Sequence, residues 1–438
     1  MKSEFMYPIV GSGGRDSTGS LLMSKEGREL LDRLAGEDVS AGRALALSVS
    51  LRQEYPPELV AAALTQQALR ESARAKFSLA SQMLFTRAGL EQASSELTAR
   101  HAAARFAGSR LVADLCCGIG GNLVSLAESA CDRAIPPSVR ARADGDGVVV
   151  GVDTDLTSLE FARHNVAVCA PGARAGFVLA DVTRISLRGF DAVFIDPARR
   201  DDRGRLPSGH YRPPLGWCLG LADVVGRVCI KAAPGLRREV VPAGWETEFV
   251  AVGRELKEAL LWSPPLVGGG ATTRATVLPS GDTLAAPAAD TPQPTARAAP
   301  VVGVSPSAGP APLAPPGAYL LDPNPAVTRA GLVTDLAGLT GTWQIDPMIA
   351  FLSSDEPVRT PFARTLRVLE SAPWHEKRFA RRLRDLGIGS ADIRRRGLAG
   401  DVTRIHRRLG LQGPGAATIV LTRVANKPWG LICEPLAD

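Results

Sequence analysis

The sequence predicts the α/β fold class: a doubly wound, Rossmann-like sheet with a helical N-terminal piece and a small C-terminal α/β domain. In the middle of the chain, short β-rich apolar runs alternate with helix-like segments, as in βαβ units around a parallel sheet. Before that region, apolar residues recur at helical spacing, and after a stretch rich in Pro and Ala they become periodic again. A chain of 438 residues is long enough for two or three folded units.

Residues 1–108 are predicted to form a helical N-terminal region. Leu59, Ala62 and Ala63 recur at helical spacing, and Pro57 stands where a helix begins. The end of this region, FTRAGLEQASSELTARHAAARF, has the pattern of an amphipathic helix.

Residues 109–279 are predicted to form the central domain. Its strand-like runs are LVADL, VVVGVD, FDAVFID and RVCIKA. Its last part suggests two strands, TEFVAVGRELKEALLW and ATTRATVLP, joined by a Pro- and Gly-containing connection over residues 263–270. We expect these two strands to form a hairpin that closes the edge of the sheet.

Residues 280–317 are rich in Pro, Ala, Thr and Ser and contain almost no large apolar side chain, so we expect a solvated linker. Residues 318–438 are predicted to form a small, basic α/β domain. Its Arg and Lys residues cluster at 377–384, 394–396 and 404–408. Arg dominates these clusters and suits bidentate phosphate contacts, which favours RNA as a partner over a merely soluble helix surface.

The segment LVADLCCGIGGNLVSLA, residues 111–127, runs from a strand through a glycine-rich turn into a helix. Gly118 and Gly120 permit positive φ and let backbone amides approach a ligand. The spacing lacks the GxGxxG pattern that places a helix under a pyrophosphate, which disfavours a nicotinamide dinucleotide. Asp114, before the turn, suits a cationic ligand such as S-adenosylmethionine, which carries an ammonium group and a sulfonium.

Acidic residues end the next strands. Asp153 is placed to accept hydrogen bonds from both ribose hydroxyls of an adenosine, with Asp155 as the spare candidate. Asp181 is placed to receive the adenine amino group, with Val182 packing on the ring. The alternative is that these carboxylates only cap the helices that follow them.

The strand FDAVFIDPARR places Asp196 and Pro197 at its carboxyl end, where an acceptor is expected to lie beside the donor. Cys116 and Cys117 are the other reactive residues of this region. No histidine is close to them in sequence, so a packing role in the loop is favoured over a nucleophilic one.

These segments resemble the class I S-adenosylmethionine-dependent methyltransferase family: DLCCGIGGN resembles its motif I, GVDTD its motif II, LADV its third motif and FIDPAR its fourth. Motif I with the trailing GGN is most similar to the trimethylguanosine-synthase-like and related RNA methyltransferase branch. The basic C-terminal part is similar to the THUMP-like domain found behind such methyltransferases in bacterial proteins.

The resemblance implies a seven-stranded sheet with an antiparallel final strand, S-adenosyl-L-methionine as cofactor, and Asp196 and Pro197 as catalytic residues. It also implies a set of cofactor-binding residues around the turn and at the strand ends: Asp114, Cys116, Gly118, Gly120, Asn122, Asp153 and Asp181. The segment FTRAGLEQASSELTARHAAARF resembles the one that folds over the donor in many relatives.

Amino-methylating relatives hold the target amino group with an Asp/Asn-Pro-Pro-aromatic motif. In this chain Ala198 and Arg199 replace the second proline and the aromatic residue. A substitute stacking ring would come from Phe85, Tyr211 or Trp217. Alternatively, the basic residues that follow Pro197 would hold a phosphate or carboxylate of the acceptor: Arg199, Arg200 and Arg203.

The leading hypothesis is therefore methyl transfer to an RNA nucleotide, at a base amino group. Two alternatives stay open: a methyltransferase of the same fold that acts on a protein or small molecule, and a non-catalytic RNA-binding module with a degenerate donor pocket. The sequence leaves the oligomeric state open.

Composition limits the other classes of function. No apolar run approaches the ~18 residues of a membrane span, and no secretory signal is visible, so we expect a cytoplasmic protein without a membrane partner. Seven cysteines without metal-type spacing and five scattered histidines predict free thiols and no metal. The net charge of +6 permits a polyanionic partner without requiring one.

Overall fold

A computed structural model describes residues 9–10, 18–131, 147–201, 204–205, 210–267, 271–287, 301–303, 311–398 and 400–436. The chain divides into two compact units. The first consists of Met1–Trp245 and Ala259–Val267, and the second of Glu246–Glu258 and Gly268–Asp438. Among the described residues, no helix has both the length and the apolar character that a membrane span needs.

The first unit begins with six helices, which end just before the central sheet. Their bounds are α1 Thr18–Met23, α2 Lys25–Arg33, α3 Ala41–Leu51, α4 Pro57–Ala73, α5 Arg87–Gln92 and α6 Glu96–Ala103. Side-chain caps fix several of the starts: Thr86 Oγ1 accepts a hydrogen bond from Gly89 N at 2.9 Å at the start of α5. Leu30, Val60 and Phe85 are fully buried in the core that these helices share.

The sheet of the first unit is parallel over six strands. Its elements in chain order are β1 Ile9–Val10, β2 Leu111–Leu115, α7 Gly121–Cys131, β3 Val148–Asp153, α8 Leu156–Cys169, β4 Arg174–Leu179, β5 Ala192–Ile195, β6 Arg200–Asp201, β7 Gly204–Arg205, α9 Leu215–Gly220 and β8 Arg227–Ala232. The spatial order is β1-β4-β3-β2-β5-β8, with β6 and β7 forming a separate short ribbon. The strand order reverses at β2, which is where doubly wound sheets form a ligand crevice.

The next two strands show that one sequence prediction was wrong. TEFVAVGRELKEALLW forms two strands, β9 Glu246–Val252 and β10 Glu255–Trp262, because Gly253 turns the chain with a φ of 55°. ATTRATVLP forms β11, Ala271–Leu278, and pairs parallel with β9 instead of making a hairpin. Residues 268–270 of the predicted connection lie outside the described residues. The last four residues of β10 pair antiparallel with β8, as the family resemblance implies for a final strand.

The predicted linker begins with a strand, which the sequence analysis missed. β12, Asp282–Pro287, pairs antiparallel with β11, and β13, Val301–Gly303, pairs parallel with β12. Leu284 and Ala285 of β12 are nevertheless buried. Residues 288–300 and 304–310 of this stretch lie outside the described residues.

The rest of the second unit is a mixed sheet with four helices. Its elements are β14 Tyr319–Pro323, α10 Pro325–Ala330, α11 Val333–Thr340, β15 Trp343–Gln344, β16 Leu352–Ser354, β17 Ala363–Pro373, α12 Glu376–Asp385, β18 Ile388–Arg395, α13 Val402–Leu409, β19 Gly415–Val424 and β20 Lys427–Pro435. The strand order is β15-β16-β14-β17-β20-β19-β18. Only β18 and β19 pair parallel among the described strands of this sheet.

Candidate active site

A cavity of about 470 Å³ lies in the first unit, at the carboxyl ends of β2, β3 and β5. This is the crevice position expected for a doubly wound sheet, and the volume is within the ~300–1,000 Å³ of small-molecule sites. Three segments form its walls: the turn after β2, the ends of β3 and β5, and the segment around α5.

The turn after β2 has the backbone conformation that its glycines predict. Gly118 and Gly120 have φ values of 53° and 86°, and Cys116 shares the left-handed region at 60°. Cys116, Gly118 and Asn122 line the cavity. Gly120 has a different role, because a Cβ there would lie 3.1 Å from Ala162 Cβ, so this glycine allows α8 to pack close to the turn.

Asp153, at the end of β3, joins this turn to α8. One carboxylate oxygen accepts a hydrogen bond from Gly118 N at 2.8 Å, and the other accepts one from Asp155 N at 3.0 Å. The side chain lines the cavity, and burial raises the pKa of its carboxyl despite these backbone donors. Asp155 also lines the cavity, and it caps α8 by accepting from Thr157 N at 3.1 Å and Ser158 Oγ at 2.7 Å.

Asp114 is fully buried on β2 beneath the turn and does not itself line the cavity. Among the described residues, neither of its carboxylate oxygens has a hydrogen-bond partner. Burial, then the nearby Asp196 and Asp153, raise the pKa of this carboxyl well above its ordinary value, while Lys231 lowers it. A buried carboxyl group without a hydrogen-bond donor is the feature expected beside a ligand that carries positive charge.

Asp181 lies elsewhere. It is exposed, caps a short 3₁₀ turn by accepting from Thr183 N at 2.9 Å and Thr183 Oγ1 at 2.7 Å, and does not line the cavity. The Thr183 hydrogen bonds lower the pKa of this carboxyl. Its contact with adenine stays a prediction.

Asp196 and Pro197 line the cavity at the end of β5, as predicted from their position in the chain. Lys231, on the neighbouring strand β8, donates from Nζ to Asp196 Oδ2 at 2.6 Å. The Lys231 side chain is 7% exposed and that of Asp196 is 25% exposed. Sequence reasoning missed Lys231, although a lysine inside the apolar run RVCIKA is a signal, since lysine is rarely buried unless it is paired.

The candidate stacking rings do not line this cavity. Phe85 is fully buried in the helical core, and Tyr211 is buried with its hydroxyl accepting from Ala233 N at 3.1 Å. Trp217 is half-buried and outside the lining. Arg199 does line the cavity. Arg203 lies outside the described residues.

The segment around α5 forms the opposite wall, with Thr86, Gly89 and Gln92 among its lining residues. Its position is fixed from behind by buried side chains. Gln66 donates to Phe85 O and accepts from Phe85 N at 2.9 Å. A second residue that sequence reasoning missed links this segment to the turn.

That residue is Asn165 of α8, which is fully buried. Its Oδ1 accepts from Leu84 N at 2.8 Å, and its Nδ2 donates to Leu84 O and to Ile119 O, both at 2.9 Å. Asn165 thus links the turn after β2 to the segment around α5 through its hydrogen bonds. No periodicity or motif in the sequence distinguishes it from an ordinary helical asparagine.

The two cysteines of the turn are thiols. Burial, followed by the field of neighbouring carboxylates, raises the pKa of both Cys116 and Cys117. Cys117 packs under β3, where a Cβ on Gly151 would lie 3.1 Å from its Sγ. This supports a packing role rather than nucleophilic catalysis. In the described part of the chain, no group of three or more His, Cys, Asp or Glu side chains is arranged to hold a metal ion.

Comparisons with known proteins agree with the motif analysis. An uncharacterised S-adenosylmethionine-dependent methyltransferase of Mycobacterium tuberculosis, found in strains CDC 1551 and H37Rv, is 38% identical over 365 residues, which cover 81% of this chain and 90% of that protein. A family model described as THUMP domain-like matches residues 363–435, and one described as a domain of unknown function matches residues 17–73.

Among solved structures, one from Porphyromonas gingivalis W83, assigned as a methyltransferase, has a TM-score of 0.66 at 18% identity. The match covers 91% of this chain and 99% of that one. At this identity the likeness shows the fold, and it confirms the predicted Rossmann-like α/β class.

Proposed function

Because this chain belongs to the family of S-adenosylmethionine-dependent methyltransferases, we propose that it transfers the methyl group to an RNA nucleotide, at a base amino group. The donor supplies an electrophilic methyl group on its sulfonium. The chain's own residues bind the donor, hold the acceptor nitrogen in line with that methyl group, and keep charge balanced around both.

The donor side of the proposed site consists of the turn after β2 and the carboxylates around it. Asp153 is oriented by two backbone N–H groups and lines the cavity, so it would accept hydrogen bonds from the ribose hydroxyls. Asp114 would compensate the positive charge of the donor from beneath the turn. Gly118, Cys116 and Asn122 would contact the donor along the turn.

On the acceptor side, one carboxylate oxygen of Asp196 accepts a hydrogen bond from Lys231. The other oxygen is the one that would accept a hydrogen bond from the acceptor NH₂ and orient the nitrogen lone pair toward the methyl group. Pro197 follows at the same strand end. In this arrangement positioning carries most of the catalysis. The nitrogen lone pair would form the N–C bond as the S–C bond breaks and its electron pair stays on sulfur, and the proton of the product nitrogen would then pass to solvent.

The observation that carries the RNA assignment is a set of exposed cations in the THUMP-like part of the second unit. Arg378 and Arg382 pair with Glu370 at 3.1 and 3.3 Å, and Arg408 lies 3.7 Å from Glu376. Other cations of α12 and α13 are exposed and have no ion pair among the described residues: Lys377, Arg381, Arg384, Arg404 and Arg407.

The spacing of these cations places them in two short stripes. Lys377, Arg381 and Arg384 recur at i, i+4 and i+7 and share one face of α12, and Arg404 and Arg407 are neighbours on α13. Unpaired arginines on two adjacent helices suit contacts with successive backbone phosphates.

The test is a filter assay with methyl-tritiated S-adenosylmethionine and separate pools of transfer RNA, ribosomal RNA and protein. We expect label in an RNA pool with the wild type and none with Asp153→Ala or Asp196→Ala. The triple variant Lys377→Gln/Arg381→Gln/Arg384→Gln should raise the KM for RNA without changing the Kd for the donor. Label only in the protein pool would contradict the RNA assignment.

A second acceptor class is favoured by one observation. Arg199 lines the cavity where amino-methylating relatives carry an aromatic residue. A guanidinium there suits an acceptor with a carboxylate or phosphate beside the methylated atom. In that case activity would persist in the triple variant and fall in Arg199→Gln.

A further inference from the structure

Four arginines of the second unit interact through their charges, and two of them contact one buried carboxylate. They come from separate elements: Arg254 from the β9–β10 turn, Arg364 from the start of β17, and Arg394 and Arg396 from the end of β18 and just beyond it. We refer to these four residues as the arginine cluster. The carboxylate is Asp322 of β14, whose side chain is 5% exposed.

The cluster is held in place by specific contacts. Arg254 donates from Nη2 to Asp322 Oδ2 at 2.7 Å and from Nη1 to Asp322 O at 3.1 Å. The turn that carries Arg254 is fixed by Asn324, whose Nδ2 donates to Gly253 O at 2.8 Å. Arg396 donates to Asp322 Oδ1 at 3.2 Å. These guanidinium groups are therefore oriented before any ligand arrives.

The aromatic ring of Phe351 adds a further constraint, because the Arg396 guanidinium lies 5.0 Å from the ring centroid. Preorganisation of this kind reduces the side-chain entropy that is lost when a ligand binds. Arg381 and Arg384 of α12 are exposed and have no such contacts among the described residues, so they lack this advantage.

Positive charge in the cluster exceeds negative charge. Asp322 is shared by Arg254 and Arg396. Asp392 accepts from Arg394 at 2.8 Å and lies 3.9 Å from Arg364 Nη2. Two carboxylates thus serve four guanidinium groups.

Two further observations concern the donors and charges of the cluster within the described residues. Nε and Nη2 of Arg364 are buried and have no hydrogen-bond acceptor there. Burial, together with the charges of the other three arginines, lowers the pKa of Arg254, against the opposite effect of Asp322. A purely structural ion-pair network would instead match its charges and satisfy its donors.

The cluster is accessible to a ligand. The side chains of Arg254, Arg364 and Arg396 are 33%, 28% and 29% exposed, and that of Arg394 is 46% exposed. Rigid guanidinium forks with excess positive charge match the tetrahedral oxygens of a phosphate better than a single carboxylate.

We propose that the arginine cluster is a phosphate site that holds one phosphodiester group of the RNA backbone. The identity of the phosphate as part of RNA rests on the proposed function, whereas the phosphate site itself rests on the geometry above. The phosphate would take up the excess charge and accept hydrogen bonds from the exposed guanidinium groups. Arg254 and Arg396 keep Asp322 in place, so Arg364 and Arg394 are the residues to substitute.

The experiment compares the full-length wild type with Arg364→Gln/Arg394→Gln and with the control Arg188→Gln, which removes an exposed arginine of the first unit. Fluorescence anisotropy of a labelled 20-nucleotide single-stranded RNA is measured over a range of salt concentrations. We expect the double variant to bind about ten-fold more weakly. The slope of log Kd against log salt should fall by about 0.7, the value for one lost phosphate contact on a single strand. The control should bind as the wild type does.

A second arm uses inorganic phosphate against chloride at equal ionic strength, with the melting temperature as readout. We expect phosphate to raise the melting temperature of the wild type and of Arg188→Gln, and not that of the double variant. Calorimetric titration with S-adenosylmethionine checks that all three proteins are folded.

The outcomes separate the site from the proposed function. If no form binds RNA but phosphate stabilises only the wild type and control, the phosphate site stands and RNA as its source is overturned. Equal RNA affinity and equal salt slopes for the wild type and the double variant would overturn the inference. A fall in RNA affinity without a change of slope would also overturn it, because no phosphate contact would have been lost.

Discussion

Replacing Lys231 by methionine tests the acceptor side of the site. The change keeps most of the apolar stem and removes the ammonium group, which lies 2.6 Å from Asp196 Oδ2. Asp196 then loses the donor that fixes one of its oxygens. The carboxyl groups of Asp114, Asp153 and Asp196 would then remain close together without the positive charge of Lys231.

The size of the effect follows from the type of contact. A hydrogen bond to a charged group contributes ~1.5–3 kcal/mol. If that contribution acts only when the acceptor is held for transfer, its loss lowers kcat by about 10- to 150-fold. Because Lys231 lowers the pKa of Asp114, the substitution should also raise that pKa further and keep Asp114 neutral to a higher pH.

The assay is single-turnover methyl transfer, with saturating donor, to the RNA pool that the wild type labels. The donor is kept saturating because the raised pKa of Asp114 would also weaken donor binding. Lys231→Arg keeps the charge and should recover part of the rate. A wild-type rate in Lys231→Met would refute the positioning role. A loss of rate that only mirrors a loss of donor affinity would assign Lys231 to the donor site instead.

Three further predictions follow from the site. Asp155→Ala removes the cap of α8 and should lower the free energy of unfolding by about 1 kcal/mol in urea, while donor Kd changes less than three-fold. Asn165→Leu leaves the backbone groups of Leu84 and Ile119 without their hydrogen-bond partner. It should lower the free energy of unfolding by about 3 kcal/mol and weaken donor binding. An unchanged donor Kd would contradict the linking role of Asn165. The affinity for S-adenosylmethionine should fall as pH is lowered through the pKa of Asp153, because the ionised carboxylate accepts the hydrogen bonds of the ribose hydroxyls. Burial raises that pKa, so calorimetry should place the fall above the ordinary aspartate range near 3.8, and a Kd that is constant down to that range would contradict the assignment.

The sequence could predict residues whose position depends on the ends of parallel strands. Asp153 and Asp196 directly follow apolar runs, and the carboxyl ends of parallel strands share one edge of a sheet. Lys231 could not be assigned in this way, since its role depends on β8 lying next to β5 in register, and chain order alone does not specify that neighbour. Asn165 was missed for a similar reason, because its partners Leu84 and Ile119 are distant in sequence.

The errors in the fold have local causes. The turn at Gly253 was overlooked because the residues on both sides continue a strand-like pattern, so one strand was predicted where the structure has two. The strand Asp282–Pro287 was overlooked because its Ala and Thr residues match a linker composition. Its burial comes from pairing with β11, which the composition of the segment does not encode.

The two units differ in the charge of the ligands that they suit, and this difference bears on the assignment of function. The cavity of the first unit has carboxylates from β3 and β5 on its walls and Asp114 beneath its turn, which favours a compact cation. In its described part, the second unit presents arginines without an ion pair and the arginine cluster, which favour a polyanion. A dinucleotide would place its pyrophosphate against the turn after β2, where the buried carboxylate of Asp114 disfavours a phosphate. The opposite charge preferences therefore support a sulfonium donor in the first unit and a nucleic acid on the second, and they give each ligand its own dependence on salt.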